Sequence, residues 1–95
     1  MASVIARVEL HYGTADDYTT LHAAMEAEGY SRYVKANDGR WYHLATGTYV
    51  HTNVQSCGDG NDRAARAAGK TGRSSAIFVG GWDGAWNSTG LPLVS

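Results

Sequence analysis

The chain has 95 residues and a mass of 10.2 kDa, the size of one small domain, so a two-domain enzyme is excluded. Hydrophobic residues make up 43% and charged residues 18%, with eight basic and nine acidic side chains and a net charge of −1. This balance argues against a disordered chain and against a strongly basic nucleic-acid-packaging protein. One cysteine excludes an internal disulfide, and no apolar run is long enough to span a bilayer, so we expect a cytoplasmic protein without an export signal.

The first predicted element is a strand near the start of the chain. From Ala6 onward, apolar side chains alternate with charged ones, which is the period of a strand with one buried face. The apolar positions are Ala6, Val8 and Leu10, and the charged ones are Arg7 and Glu9.

A helix is predicted next, over residues 15–28. Thr14 is a suitable N-cap, and Asp17 at the third helical position completes a capping box. Gly29 is suited to end the helix in the left-handed conformation. The apolar stripe consists of Tyr18, Leu21, His22 and Met25.

Two segments rich in aromatic and β-branched residues, 30–36 and 40–52, follow the helix. The sequence Asn37-Asp38-Gly39 between them favours a tight hairpin turn, so the segments are predicted to pair antiparallel. Gly47 is predicted to mark a bulge within the second strand.

The second half of the chain contains a glycine-rich stretch over 56–62, which predicts a loop. Asn61 or Asp62 then caps a short helix over 63–68, and a strand follows over 75–79. Residues 80–95 are rich in glycine and tryptophan, and their tail over 91–94 is either a last edge strand or mobile.

This order of elements, βαββαβ, predicts one α+β domain over 1–95 with ferredoxin-like topology. It is a sandwich of a four-stranded antiparallel sheet with two helices on one face. The alternative is a strand-rich roll in which the short second helix does not form.

The hairpin carries the most suggestive side chains, because cations and aromatic rings alternate along it. Such surfaces bind single-stranded RNA by stacking bases on rings and pairing cations with phosphates. The other interpretation is that the rings are cross-strand pairs that stabilise the hairpin. The side chains are Arg32, Tyr33, Lys35, Arg40, Trp41, Tyr42 and His43.

No metal or cofactor is predicted. On a continuous strand His43 and His51 would lie about 26 Å apart, too far to share an ion. His22 is expected at the edge of the core, and Cys57 is expected to be an exposed thiol without a catalytic partner. His11 is different, because it stands where the first strand ends beside the first helix.

Six short motifs of the chain form a recognisable set. They are the strand from Ala6 to His11, Asp17-Tyr18, Leu21 to Met25, Gly29 to Arg32, Gly39 to Leu44, and Thr48-Tyr49. Together they resemble the GhoS-type endoribonuclease antitoxin family, and the similarity covers about the first fifty residues and again 69–79. The resemblance implies a ferredoxin-like fold related to the CRISPR Cas2 nucleases, and RNA cleavage directed at a toxin transcript.

The chain departs from the Cas2-type pattern at the end of its first strand, where those nucleases have a metal-binding aspartate and this sequence has His11. A metal-free mechanism is therefore our hypothesis for cleavage. His11 or His43 would take a proton from a ribose 2′-hydroxyl, and Arg32 or Arg40 would stabilise the charged phosphorane.

The second functional hypothesis is a non-enzymatic protein-binding inhibitor of the anti-CRISPR type, encoded by a phage or mobile element. It would block a partner that handles nucleic acid, with Trp82 and Trp86 as its contact surface. The partner is thus either single-stranded RNA or a protein. In both cases we expect a homodimer, because a small core is readily supplemented by sheet-edge pairing.

Overall fold

The computed structural model describes residues 2–94, so Met1 and Ser95, the ends of the predicted domain, lie outside the described residues. All strand pairs are antiparallel and two helices are present, which confirms an α+β fold. Within the described part, neither helix is both long and apolar enough to cross a membrane. The elements are β1 (Ala2–Leu10), α1 (Ala15–Ala27), β2 (Tyr33–Lys35), β3 (Trp41–His43), β4 (Thr48–Val54), α2 (Cys57–Gly69) and β5 (Ser75–Gly81).

The strands form two sheets rather than the predicted single sheet of four strands. The main sheet has three strands in the order β4-β1-β5, and β2 and β3 form a separate two-stranded sheet. Ser31 still pairs with Val50 of β4 through two backbone hydrogen bonds of 2.8 and 3.0 Å. Beyond that bridge the chain no longer pairs with β4. Arg32 O accepts a hydrogen bond from the backbone N–H of Leu44, and β2 then pairs with β3.

Gly47 divides the predicted strand over 40–52 into β3 and β4, so the prediction of one continuous strand with a bulge is wrong. Its φ of +86° lies in the left-handed region that favours glycine. Its carbonyl accepts a 2.7 Å hydrogen bond from the N–H of Val8, and a Cβ at this position would lie 2.5 Å from the Val8 carbonyl oxygen. The close approach to β1 therefore requires a glycine.

Helix α1 confirms the prediction from capping and periodicity. The Thr14 side chain accepts from the N–H of Asp17, and the Asp17 carboxylate accepts from the N–H of Thr14, which is a complete capping box. The helix ends at Ala27, and Gly29 follows with φ of +94°.

Helix α2 is twice as long as expected, and both the predicted loop over 56–62 and the alternative without a second helix are wrong. Ser56 is the N-cap, with its hydroxyl accepting from the N–H of Asp59 at 3.1 Å, and Arg63 pairs with Asp59 at 3.2 Å one turn later. Gly60 is buried where a Cβ would lie 3.0 Å from the hydroxyl of Tyr30. This glycine therefore permits close packing and does not break the helix.

Both helices pack on one face of β1, and their apolar residues form a single core with the main sheet. Each core residue of β1 is separated from the next by a side chain on the opposite face, as the period-two pattern predicts. The core consists of Val4, Ala6, Val8, Leu10, Leu21, Ala24, Met25, Tyr30, Tyr49, Val54, Ala64, Ala67 and Ala68.

The C-terminal tail lies along β3, but it forms only an isolated bridge, between Leu93 and Tyr42, and not the predicted edge strand. The N–H of His43 donates to Pro92 O, and the N–H of Val94 donates to Trp41 O, both at 2.9 Å. The segment before it begins next to β1, where the N–H of Trp82 donates to Ser3 O. The tail therefore folds back across the hairpin.

Candidate nucleic-acid interface

One face of the β2–β3 hairpin carries two rings, a histidine and a lysine. Tyr33 pairs with His43, and Lys35 pairs with Trp41; the side chains of directly opposed residues lie on the same face. The Tyr33 and His43 rings pack edge to face with 5.0 Å between their centroids. The Arg32 guanidinium carbon lies 5.8 Å from the Tyr33 ring centroid, within the range of a cation–π contact.

A groove of about 300 Å³ separates this hairpin from β4 and from the segment that follows β5. We call it the tryptophan groove, because all three tryptophans of the chain line it. Its rings are partly accessible, with Trp41 exposed by 48% and Tyr33 by 37%. The lining residues are Gly29, Ser31, Tyr33, Val34, Lys35, Trp41, Val50, Thr52, Trp82, Gly84 and Trp86.

Contacts within the described residues fix the two C-terminal tryptophans. The Trp82 indole N–H donates to Ala85 O at 3.1 Å, and the Asp83 carboxylate accepts from the N–H of Ala85 at 2.9 Å. The Trp86 ring packs edge to face on Tyr42, with 6.4 Å between centroids. Tyr42 and Trp86 also line a second cavity of about 440 Å³.

The electrostatic character of the groove comes from Lys35, because no carboxylate lines it. Within residues 2–94, neither Lys35 nor Arg32 forms an ion pair with an acidic side chain. Both cations therefore remain available to a ligand anion. Arg40 lies in the hairpin turn, where it is 4.0 Å from the Asp38 carboxylate.

The four predicted catalytic residues do not lie together. Arg32 and His43 both contact Tyr33, whereas Arg40 lies in the turn. His11 is at the far end of β1, where its Nδ1 is 3.0 Å from the hydroxyl of Ser74. Among residues 2–94, no hydrogen bond or ring contact joins His11 to the hairpin. The structure thus brings together one histidine and one arginine of the predicted set.

The remaining histidines have structural partners. His51 is 7% exposed and lies between the Glu28 carbonyl, 3.1 Å from Nε2, and the N–H of Asn53, 3.0 Å from Nδ1. His22 is half-buried and hydrogen-bonded to Tyr49, as expected for a residue at the edge of the core. Across 2–94, no three His, Cys, Asp or Glu side chains lie together as a metal site would require.

Cys57 is exposed, in agreement with the sequence-based expectation, and stands at the first position of α2.

The sequence placed Trp82 and Trp86 on a surface separate from the hairpin, yet the structure brings them together with Trp41. The contribution of β4 was also missed, with Val50 and Thr52 among the lining residues of the groove. Alternation along β4 places these two residues on the face away from the helices, which the sequence pattern shows in part. The folding back of the tail has no local sequence signal.

No protein-family model, curated protein or solved structure matches this chain in the comparisons made. The resemblance to the GhoS-type family therefore stays a prediction from the sequence.

Proposed function

We propose that this protein is an RNA-targeting regulator that binds single-stranded RNA in the tryptophan groove. The observation that carries the proposal is the convergence of three tryptophans and Tyr33 around one open groove that also contains Lys35. Each base has a π face that can stack on such rings, whereas paired bases are hidden inside a duplex. The ligand is accordingly an unpaired stretch of RNA.

The size of the groove suits this ligand. Its volume of about 300 Å³ is at the lower end of small-molecule sites, so it accommodates one or two bases rather than a long segment. Lys35 and Arg32 then meet the phosphates next to the stacked bases. With a net charge of −1, the chain has no broad positive field to attract RNA of every kind. Stacking, rather than charge, therefore provides most of the affinity.

We further propose that the protein cleaves the bound RNA. His43 takes the proton of a ribose 2′-hydroxyl, the 2′-oxygen attacks phosphorus, and the bond to the 5′-oxygen breaks as that oxygen takes a proton from water. The products are a 2′,3′-cyclic phosphate and a 5′-hydroxyl end, and no metal ion is required. The contacts of Arg32 and His43 with the same Tyr33 ring support this assignment of roles. Arg32 stabilises the charge that develops on the phosphorane.

A ferredoxin-like ancestry is compatible with the proposal. The strand order β4-β1-β5 and the Ser31–Val50 bridge correspond to that topology, with the fourth strand displaced into the hairpin. Together with the motifs of the GhoS-type family, they support an antitoxin-like role in which a toxin transcript is the target.

Binding is tested by titrating the protein into a fluorescently labelled, unstructured RNA and measuring anisotropy. Trp41→Ala should weaken binding about fivefold or more, because stacking on an aromatic ring contributes about 1–3 kcal/mol per base. Tyr12→Ala is the matched control, since Tyr12 is 93% exposed and lies outside the groove. Equal loss of affinity in both variants, or no binding by the wild type, would refute the proposal.

Cleavage is tested separately, with the same RNA in EDTA and with alanine at each of the four predicted catalytic residues. We expect wild-type cleavage to survive EDTA, and His43→Ala to abolish it while the affinity for RNA is retained. Arg32→Ala should also abolish cleavage and, because it removes a phosphate contact, weaken binding. His11→Ala and Arg40→Ala should retain activity. Among residues 2–94, neither His11 nor Arg40 forms a hydrogen bond, ring contact or cation–π contact with Tyr33, the groove residue that Arg32 and His43 contact. Cleavage that depends on magnesium, or unchanged rates in all four variants, would contradict the mechanism but not the binding.

The second candidate function is a protein-binding inhibitor of the anti-CRISPR type. The near-neutral charge and the exposed rings of the same groove favour it, because a tryptophan-rich surface with a single lining cation also suits an apolar protein partner. Salt dependence separates the two candidates. RNA affinity falls as salt rises through loss of phosphate contacts, whereas affinity for an apolar protein surface changes little.

A further inference from the structure

Strand β5 is an unprotected edge of the main sheet. It is the last strand in the order β4-β1-β5, and in the described residues no strand pairs with its outer side. Its sequence, Ser-Ala-Ile-Phe-Val-Gly-Gly, contains no charged residue and no proline. Charged residues and proline are what proteins normally use to protect an edge strand from pairing with another chain.

Phe78, at the centre of this strand, is 72% exposed on the sheet face that the helices leave open. A shallow hollow of about 220 Å³ lies next to it on that face. Arg7, Glu9 and Ala76 contribute to its lining. A large exposed ring beside a hollow on one surface is the pattern of a self-complementary contact, in which each copy offers both parts.

We infer that β5 pairs antiparallel with β5 of a second copy, around a two-fold axis at Phe78. This register opposes Phe78 with Phe78 of the other copy, and Ala76 with Gly80 of the other copy. The two small residues leave room for both rings on the open face. On the opposite face Ile77 meets Val79 of the other copy, which extends the core because both residues are already partly buried against it.

The resulting assembly is a continuous six-stranded sheet. The contact is of modest size, because β5 has seven residues and is about 24 Å long. The longest dimension of the molecule is 39 Å. A reversible dimer follows, whose population rises with protein concentration. The inference does not depend on RNA binding, since β5 contributes no residue to the tryptophan groove.

The first test is the molar mass in solution, measured by light scattering from low to high micromolar concentration. The wild type should rise from 10.2 kDa toward twice that mass, and Phe78→Lys should stay at 10.2 kDa. Tyr12→Lys is the matched control, because it also replaces an exposed ring by a charge but lies outside β5; it should behave as the wild type. A wild type that remains monomeric, or a Phe78→Lys variant that dimerises equally, would overturn the inference.

The second test addresses the register and keeps Phe78 in place. In a Cys57→Ser background, the double variant Ala76→Cys with Gly80→Cys should form a disulfide-linked dimer on mild oxidation. Gly80 tolerates a side chain, since a Cβ there makes only an ordinary contact with Phe78 at 3.5 Å. Ala76→Cys alone should not form a disulfide-linked dimer under the same conditions, because residue 76 opposes residue 80. Equal cross-linking of the single and double variants would overturn the proposed register.

Discussion

His22 of α1 and Tyr49 of β4 are joined by a hydrogen bond of 2.6 Å between Nδ1 and the phenol oxygen. Burial raises the pKa of Tyr49 to about 12, so the phenol keeps its proton and donates it to Nδ1. Burial, and secondarily the charge of Arg32, lowers the pKa of His22. His22 is therefore neutral at pH 7, with its own proton on Nε2, and links the helix to the sheet.

Stability should fall as the pH drops through the range in which histidine titrates. Below the ordinary pKa of 6.5 the unfolded chain binds a proton at His22, whereas the folded chain, with its lowered pKa, does not. Stability from this residue is thus complete above pH 6.5 and is lost as the pH approaches the folded pKa. The carboxyl groups of Asp17, Glu28 and Asp59 also have lowered pKa values, but they act in a more acidic range.

The measurement is Tm by circular dichroism at pH 8.0, 6.5 and 5.5 for the wild type and His22→Gln. Glutamine keeps an acceptor for the Tyr49 hydroxyl but does not titrate. We expect the wild type to lose more Tm over this range than the variant. Parallel curves would show that His22 is not responsible for the pH dependence.

Gly47→Ala should destabilise the fold more than Gly39→Ala. Both glycines have φ near +85°, so both substitutions cost about 1 kcal/mol of backbone strain. Only at Gly47 does the new Cβ also meet backbone, 2.5 Å from the Val8 carbonyl oxygen, whereas nothing lies within 4 Å of it at Gly39. Urea unfolding should give a free-energy loss at least about 1 kcal/mol larger for Gly47→Ala. Equal losses would mean that the contact with β1 is not a constraint.

Lys35→Ala should reduce the salt dependence of RNA binding. Each phosphate contact on a single strand contributes about 0.7 to the slope of log K against log salt, so the slope should fall by about that amount. Lys70→Ala is the matched control, because Lys70 is also an exposed lysine, at the C-terminal end of α2, and does not line the groove. The same change in slope for both variants would indicate non-specific attraction.

The elements that the sequence predicted well are those with local signals. The Thr14–Asp17 capping box and the turn over 37–39 are both specified by neighbouring residues, and both formed as expected. Helix α2 was underestimated because Gly58 and Gly60 suggested a loop. The Ser56 cap starts the helix before these glycines. The packing of Tyr30 against Gly60, which stabilises the helix there, joins residues that are distant in sequence.

Only one wall of the candidate site could be predicted from the sequence. Alternating rings and cations along the hairpin are visible in the sequence, so Tyr33, Lys35 and Trp41 were identified. The opposite wall of the groove depends on the tail returning to β3, where His43 and Trp41 bond to residues about fifty positions later. Such long-range backbone pairing leaves no periodic pattern, so the meeting of Trp82 and Trp86 with the hairpin emerged only from the structure.

The most direct test of the central claim compares two forms of one RNA, single-stranded and annealed to its complement, in the same anisotropy assay. Stacking in the tryptophan groove requires unpaired bases, so the wild type should bind the single strand about tenfold more tightly, as the loss of one stacked base implies. Trp41→Ala should lose most of this preference. Equal affinity of the wild type for both forms would contradict the account.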